Sequence, residues 1–317
     1  MTPKQNQLRL FLAFASAILL PEQNRAEEMA KNVFHFGVSY ASFGTVNRND
    51  ASAALKAWAA SVSRERKLRT QVHVELFDVE TDLIQALARG EMNAATVTAE
   101  GFASVVPQPD SVILPSKGGV FTEQYVLLAH RSSGIADIAQ LKGRKLVCHE
   151  SPKTSLASPW LETLLAGRGL GNTKEFLGEM TTVETASKAV LRVFFHQSDV
   201  CLVTSNAFAV ACELNPQVRR DLLVLAVSSP VVPAMMFFRA DQNSAIRQEV
   251  QDAILNLHST PSGAQVLTVF QGDQMLKVSI SALATTRNML ADFAKLHPLS
   301  DREQPPAAVA NAGKKTP

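Results

Sequence analysis

Short apolar runs alternate along the chain with segments whose apolar residues recur at helical spacing. Runs rich in β-type residues at 33–38, 71–77 and 93–98 are separated by helical patterns, and turn residues mark most of the boundaries. Up to residue 98 the predicted order is β-α-β-α-β, which is typical of a parallel sheet with helices on both faces. The pattern therefore predicts an α/β fold.

The same rhythm starts again after a turn-rich segment near residue 131 and stops at a second one near residue 231. A chain that visits a second domain and returns predicts lobe 1 at 32–130 plus 234–297 and lobe 2 at 131–233. Such lobes are expected to enclose a cleft lined by strand ends and helix starts. Helices are predicted at 51–66, 78–88, 137–141, 155–168, 182–195, 205–213, 245–258, 262–270 and 280–297.

The first 26 residues have the pattern of an export signal. Lys4 and Arg9 precede an 11-residue apolar run at 10–20, which is too short to span a membrane, and small residues follow it. Cleavage after Ala26 or Ala17 would release the mature chain, whereas the alternative is an uncleaved amphipathic anchor. We therefore expect a periplasmic protein, and we expect its Pro-, Ala- and Lys-rich tail at 298–317 to be disordered.

Composition narrows the function without identifying it. The chain has 317 residues, 46% hydrophobic and 19% charged, which is long enough for two domains. The net charge is +2, but residues 1–26 carry three basic residues and one acidic residue, so the remaining chain is balanced. Nucleic acid is not an expected partner, because binding it needs a clustered basic face.

The cysteines and the missing catalytic motifs argue against an enzyme. Three cysteines leave at least one thiol unpaired; Cys148 and Cys201 are interpreted as buried small residues, and a Cys201–Cys212 disulfide is the alternative. The spacing of Cys and His does not resemble a zinc site. No Gly-x-Ser-x-Gly elbow or pair of carboxylates stands out. We expect no metal, no cofactor and no catalytic residue.

The loop Ser-Pro-Lys-Thr-Ser at 151–155 is the leading candidate for a binding site. It follows an apolar strand and precedes a predicted helix, so its hydroxyls lie beside the unpaired backbone N–H groups of a helix start. Such a start binds anions. Ser and Thr are also common helix caps, and that alternative stays open for Thr154 and Ser155.

Several motifs occur in an order that resembles one protein family. They are a first strand with Phe-Gly-Val, Leu-Ile-Gln-Ala-Leu-Ala-Arg-Gly-Glu-Met-Asn-Ala-Ala at 83–95, Leu-Lys-Gly-Arg-Lys-Leu at 141–146, the loop at 151–155, the strand segment 230–239, and Pro-Ser-Gly at 261–263. Together they resemble the periplasmic phosphonate- and phosphite-binding proteins of ABC importers, a branch of the type II substrate-binding proteins. The resemblance covers roughly residues 33–275.

The resemblance implies a two-lobe type II periplasmic binding protein with a hinge and an interlobe cleft. It implies that Ser/Thr hydroxyls and backbone N–H groups hold a small phosphorus oxyanion, which is passed to an ABC permease in the inner membrane. A membrane sensor kinase is the alternative recipient, and an enzyme on the same fold is a third hypothesis. The chain is expected to be a monomer.

The chain also departs from the family pattern. The aromatic residue after the third strand is missing from the run Asn-Ala-Ala-Thr-Val-Thr at 93–98, and the family's His has no match in Thr-Thr-Val-Glu-Thr at 181–185. The family's acidic residue corresponds to the region of Thr204 and Ser205. These departures argue against a standard aminophosphonate as the ligand.

The candidate ligand-binding residues lie at strand ends and helix starts. Lys153 replaces the first hydroxyl of the family's loop, and Tyr40 follows the first strand. A solvated turn lysine and a packing tyrosine are the alternatives for these two, and helix caps are the alternative for the threonines. His149 is a minor candidate with a structural alternative. The full set is Tyr40, Thr96, Thr98, Lys153, Thr154, Ser155, Thr204 and Ser205.

Overall fold

The computed structural model describes residues 33–43, 47–65, 71–241, 245–269 and 271–297. The expected signal peptide and the expected tail lie outside these residues. The strands are β1 Val33–Ser39, β2 Gln71–Phe77, β3 Ala94–Thr98, β4 Ser111–Ser116, β5 Tyr125–His130, β6 Leu146–His149, β7 Met180–Val183, β8 Val200–Thr204, β9 Leu222–Val227, β10 Ala234–Phe238 and β11 Gln274–Ser279.

The α-helices are joined by several short 3₁₀ turns. The helices are α1 Arg48–Glu65, α2 Glu80–Ala88, α3 Ala99–Ala103, α4 Ala157–Gly167, α5 Thr173–Phe176, α6 Ala186–Phe194, α7 Ser205–Leu214, α8 Pro216–Asp221, α9 Ala245–Leu255, α10 Pro261–Val269 and α11 Ala284–Leu296. The 3₁₀ turns are Tyr40–Phe43, Arg131–Ser133, Ile138–Leu141, Pro152–Thr154, Leu257–Ser259 and Ile280–Leu283. Within the described residues, no helix has both the length and the hydrophobicity needed to span a bilayer.

The first compact unit is built on a mixed sheet. Among the described residues its strand order is β11-β4-β10-β3-β1-β2, and β1 is parallel to both β2 and β3. β10 and β11 pair antiparallel to their neighbours. Alternate residues of β1 point to one face, so Phe34, Phe36 and Val38 pack with Leu55 and Trp58 of α1 in the core. This arrangement confirms the predicted α/β fold.

The second compact unit repeats the arrangement. Its described strands have the order β7-β6-β8-β5-β9, with β6 parallel to β7 and β8 and with β5 antiparallel to β8 and β9. Val147 of β6, Val203 of β8 and Val190 of α6 share its hydrophobic core. Each unit therefore has three adjacent parallel strands followed by an antiparallel strand.

The units divide the chain differently from the expected lobes. Among the described residues, the first falls within 33–123, 150–153 and 231–283, and the second within 124–149, 154–230 and 284–297. β5, expected in lobe 1, pairs with β8 and β9, and α11, also expected in lobe 1, packs against α4. The crossing falls at residue 123 because Glu123 still exchanges backbone hydrogen bonds with Val231, whereas Tyr125 already pairs with Thr204.

Two segments form strands that the sequence did not predict, because each pairs with a strand distant in sequence. The helix predicted at 182–195 begins at Ala186, since Met180–Val183 pairs in parallel register with Leu146–His149. Thr185 caps the shortened helix by accepting from the Lys188 N–H. β11 was not predicted, and it forms because Gln274–Ser279 pairs along β4.

Gly263, the glycine of the Pro-Ser-Gly motif, is required by a close backbone approach. A Cβ at this position would collide with the carbonyl oxygen of Leu257. Gly263→Ala is therefore expected to destabilise the protein by about 1–3 kcal/mol, because backbone must move to make room. Gly167→Ala is the matched control: a Cβ there meets nothing, so thermal unfolding should be unchanged or slightly later. Equal melting temperatures for the two variants would contradict the argument.

Candidate functional site

The carboxyl ends of β1 and β3 mark the switch point of the first sheet. β2 lies on one side of β1 and β3 on the other, so the connections after β1 and β3 diverge. In open α/β sheets ligands bind beside such a point, at the carboxyl ends of the strands. Val38 pairs with Thr96, which places Ser39 and Thr96 at this point.

Two buried hydroxyls lie at this switch point. Ser39 is 1% exposed and Thr96 is 7% exposed. Neither hydroxyl oxygen has a hydrogen-bond partner among the described residues, and the same holds for Ser42 Oγ in the following 3₁₀ turn. A buried unsatisfied hydroxyl costs about 1–3 kcal/mol, so these atoms are places where a ligand gains hydrogen bonds that the protein does not make.

Tyr40 and Thr98, both predicted ligand residues, have structural roles here. Tyr40 is half-buried in the turn after β1 and packs against the core of the first unit. The Thr98 hydroxyl accepts from the Gly101 N–H as a helix cap and donates to Glu80 Oε2 at 2.7 Å. Glu80 Oε1 accepts from the Thr98 N–H at 2.8 Å, so a carboxylate of the protein already occupies this helix start.

The second sheet has its own switch point, between β6 and β8, where the loop at 151–155 lies. The helix that follows begins at Ala157 with Leu156 as its N-cap, so neither Thr154 nor Ser155 caps it. Thr154 is 7% exposed. Its hydroxyl donates to the carbonyl of His149 at 2.7 Å. Ser155 is exposed. The hydroxyl loop is thus fastened to the end of β6.

Thr204 and Ser205 lie at the carboxyl end of β8. The Thr204 side chain accepts from the Ala207 N–H at 3.2 Å, as a helix N-cap does. Ser205 is half-buried, and its N–H donates to the Gln124 carbonyl at 2.7 Å. Both residues border the switch point, and the capping alternative describes Thr204 in this structure.

Lys153 is tied to a carboxylate of the protein. Its Nζ lies 2.9 Å from Glu123 Oε1, and the side chains are 35% and 16% exposed. Glu123 is held in place by its backbone pairing with Val231. Because the positive charge is already compensated, an anion that uses Lys153 has to share the lysine with Glu123 or displace it.

Cys201 is buried as predicted and Cys212 is buried too, whereas Cys148 is only half-buried. Cys148, Cys201 and Cys212 are all free thiols, so the Cys201–Cys212 disulfide is not formed. Burial raises the pKa of Cys148 to about 12, which keeps this thiol protonated and unreactive at neutral pH. In the part of the chain that the structure describes, no group of three or more His, Cys, Asp or Glu is placed to hold a metal ion.

Of the eight predicted residues, Thr96 is therefore the one whose hydroxyl oxygen is buried without a hydrogen-bond partner among the described residues. Sequence reasoning missed Ser39 and Ser42. Their signal was the hydroxyl-rich run Ser-Tyr-Ala-Ser that begins at the end of β1. Thr98 and Thr204 border the two switch points but act as caps.

Comparison with known proteins adds a family match. The model of a family described as periplasmic substrate-binding proteins of ABC phosphonate transporters matches residues 43–283, which is more than half of the chain. A search of curated protein sequences finds no match.

Three solved structures illustrate the similarity in fold. A binding-protein component of an ABC phosphonate transporter from Pseudomonas aeruginosa is 14% identical with a TM-score of 0.54, covering 84% of this chain and 87% of its own. PhnD1 from Prochlorococcus marinus in complex with methylphosphonate is 13% identical with a TM-score of 0.56, covering 83% and 99%. XAC2383 from Xanthomonas citri bound to ATP is 15% identical with a TM-score of 0.57, covering 84% and 98%.

Proposed function

Because the chain belongs to the family of periplasmic substrate-binding proteins of ABC phosphonate transporters, we propose that it captures a small oxyanion of the phosphonate or phosphite type. An ABC permease in the inner membrane is the proposed recipient. The motif resemblance found in the sequence is confirmed by the family match, and this family consists of transport binding proteins, not enzymes.

The buried hydroxyls at the first switch point are the observation that carries the ligand class. Hydroxyl groups and backbone N–H groups donate hydrogen bonds to oxyanion oxygens without requiring a cation. Ser39 and Thr96 offer two such hydroxyls in the first unit, and the exposed Ser155 offers another in the second, in a loop that the Thr154 hydroxyl fastens to the His149 carbonyl. Each unit therefore carries hydroxyls of the kind that the family resemblance implies for oxyanion binding.

The route of the protein follows from the same family. We propose that residues 1–26 direct export and that the mature chain acts in the periplasm as a monomer. The apolar run at 10–20 with Lys4 and Arg9 before it supports export. A permease is preferred to a sensor kinase as the recipient, because the matched family is one of transporter components.

Binding is expected to delay thermal unfolding of the purified protein. A ligand at 100 times its Kd stabilises the folded state by about 2.7 kcal/mol, which is several degrees in melting temperature for a chain of this size. The measurement is a thermal-shift titration with methylphosphonate, phosphite, phosphate and methanesulfonate. Ser281→Ala, which changes an exposed hydroxyl of a 3₁₀ turn, should shift to the same extent as the unmodified protein. No shift with any phosphorus oxyanion would refute the ligand class.

A further inference from the structure

His149 lies at the end of β6, directly before the hydroxyl loop of the second unit. Its ring donates a hydrogen bond to the backbone carbonyl of Glu184. Its Nδ1 is buried and has no hydrogen-bond partner among the described residues. An imidazole that donates through one nitrogen presents a lone pair on the other, so Nδ1 is an acceptor without a donor.

The backbone of His149 is bound to the candidate loop. Its carbonyl accepts from the Thr154 hydroxyl at 2.7 Å, which fixes the turn that follows β6. The imidazole is held at the carboxyl end of β6, next to the first residue after β7, and the loop proposed to contact the ligand begins directly after it. An acceptor in this position attracts a donor hydrogen and repels a fully ionised oxygen.

We propose that His149 Nδ1 accepts a hydrogen bond from a protonated oxygen of the ligand, so that the site selects the hydrogen-bearing monoanion of a phosphonate or phosphite over oxyanions that carry no proton. This inference rests on the proposed function and specifies its ligand. A sulfonate has oxygens in similar positions, but it presents only acceptors at neutral pH. It would place an acceptor against an acceptor.

The charged side chains near His149 are paired or exposed, so we expect the pH dependence of binding to come from the ligand. Lys153 is paired with Glu123, the Glu184 side chain is paired with Lys188, and Glu150 is exposed. Burial lowers the pKa of His149, an effect partly offset by the Glu184 carbonyl, so the ring stays neutral at neutral pH. A phosphonate or phosphite loses its second proton near neutral pH, as a phosphate ester does with a second pKa of about 6. Affinity should therefore be full below the second pKa of the ligand and should fall as pH rises above it.

Calorimetric titration of the protein at several pH values tests the inference. Methylphosphonate is expected to bind with a Kd that rises about tenfold per pH unit above its second pKa, as linkage to one proton requires. Methanesulfonate is expected to bind at least about tenfold more weakly at neutral pH, because one buried hydrogen bond is replaced by a repulsive contact.

Substitution of His149 distinguishes a role in ligand recognition from a purely structural role. His149→Phe should weaken methylphosphonate binding about tenfold and should remove most of the preference over methanesulfonate. A purely structural histidine would weaken both ligands equally and keep the ratio. His130→Phe is the matched control in the same unit, since its Nδ1 already accepts from Ser132, and it should leave the ratio unchanged.

The outcomes distinguish the inference from the proposed function. If methylphosphonate binds independently of pH and no better than methanesulfonate, the role of His149 is wrong and the oxyanion-binding function stands. If His149→Phe keeps the preference of the unmodified protein, the role is also wrong. If neither ligand binds at any pH, the proposed function fails and the inference fails with it.

Discussion

Thr96→Val is expected to stabilise the unliganded protein while it weakens oxyanion binding. Thr96 is 7% exposed and its hydroxyl oxygen has no partner among the described residues, so folding buries a polar group without compensation. Valine has nearly the same shape and suits a strand, and it removes that cost, which is about 1 kcal/mol or more. The ligand loses a donor, so the Kd should rise about tenfold. Urea unfolding and calorimetric titration measure the two effects on the same samples.

A second substitution at the same switch point should enlarge the loss. Ser39 is 1% exposed, and its Oγ is likewise buried without a partner in the described part of the chain. The double variant Ser39→Ala, Thr96→Val is expected to lose about a hundredfold in affinity, since two independent hydrogen bonds to the ligand disappear. Stability should not fall with it.

Thr173→Val is the matched control for these hydroxyls. Thr173 is buried to a similar degree, at 8% exposed, but its hydroxyl donates to Glu162 at 3.1 Å. Valine at this position should destabilise the protein by about 1–2 kcal/mol and leave the affinity unchanged. The assignment of Thr96 to the ligand fails if Thr96→Val destabilises the fold as Thr173→Val does, or if it binds the ligand normally.

The sequence predicted the elements that burial alone determines. The strand Gln71–Phe77 was predicted with its observed bounds, because its alternating apolar residues form one buried face. Residues 182–183 were predicted as the start of a helix, because Met180–Val183 becomes a strand only through pairing with Leu146–His149. Local pattern reports the apolar face of an element, whereas strand pairing depends on a partner that is distant in sequence.

For the candidate site, too, the local pattern was readable from the sequence and the long-range contacts were not. Thr96 was predicted because hydroxyls at strand ends are readable in the sequence. Which hydroxyl already has a partner was not predictable, since Thr98 meets Glu80 eighteen residues away and Lys153 meets Glu123 across thirty. Ser39 was overlooked because a serine at a strand end has the same local pattern whether its hydroxyl is bonded or not. Contacts between residues distant in sequence decide whether such a group is a cap, part of an ion pair, or a hydroxyl without a partner among the described residues.

Thr154→Val is expected to lower both stability and affinity, the opposite combination to Thr96→Val. The Thr154 hydroxyl donates to the His149 carbonyl at 2.7 Å and fastens the loop after β6, so its loss leaves a buried carbonyl without this donor. We expect a cost of about 1–2 kcal/mol in urea unfolding. Affinity should fall on the order of a hundredfold, because the loop loses the hydrogen bond that holds it in position.

Thr154→Ser and Ser155→Ala divide this loss into its parts. Serine keeps the hydroxyl that bonds the His149 carbonyl, so Thr154→Ser should retain most of the stability and the affinity. Ser155 is exposed and does not cap the following helix, so Ser155→Ala should leave stability unchanged and reduce only binding. Normal binding by both Thr154→Val and Ser155→Ala would remove the loop from the site. The switch point of the first sheet, with Ser39 and Thr96, would then be the ligand contact that remains.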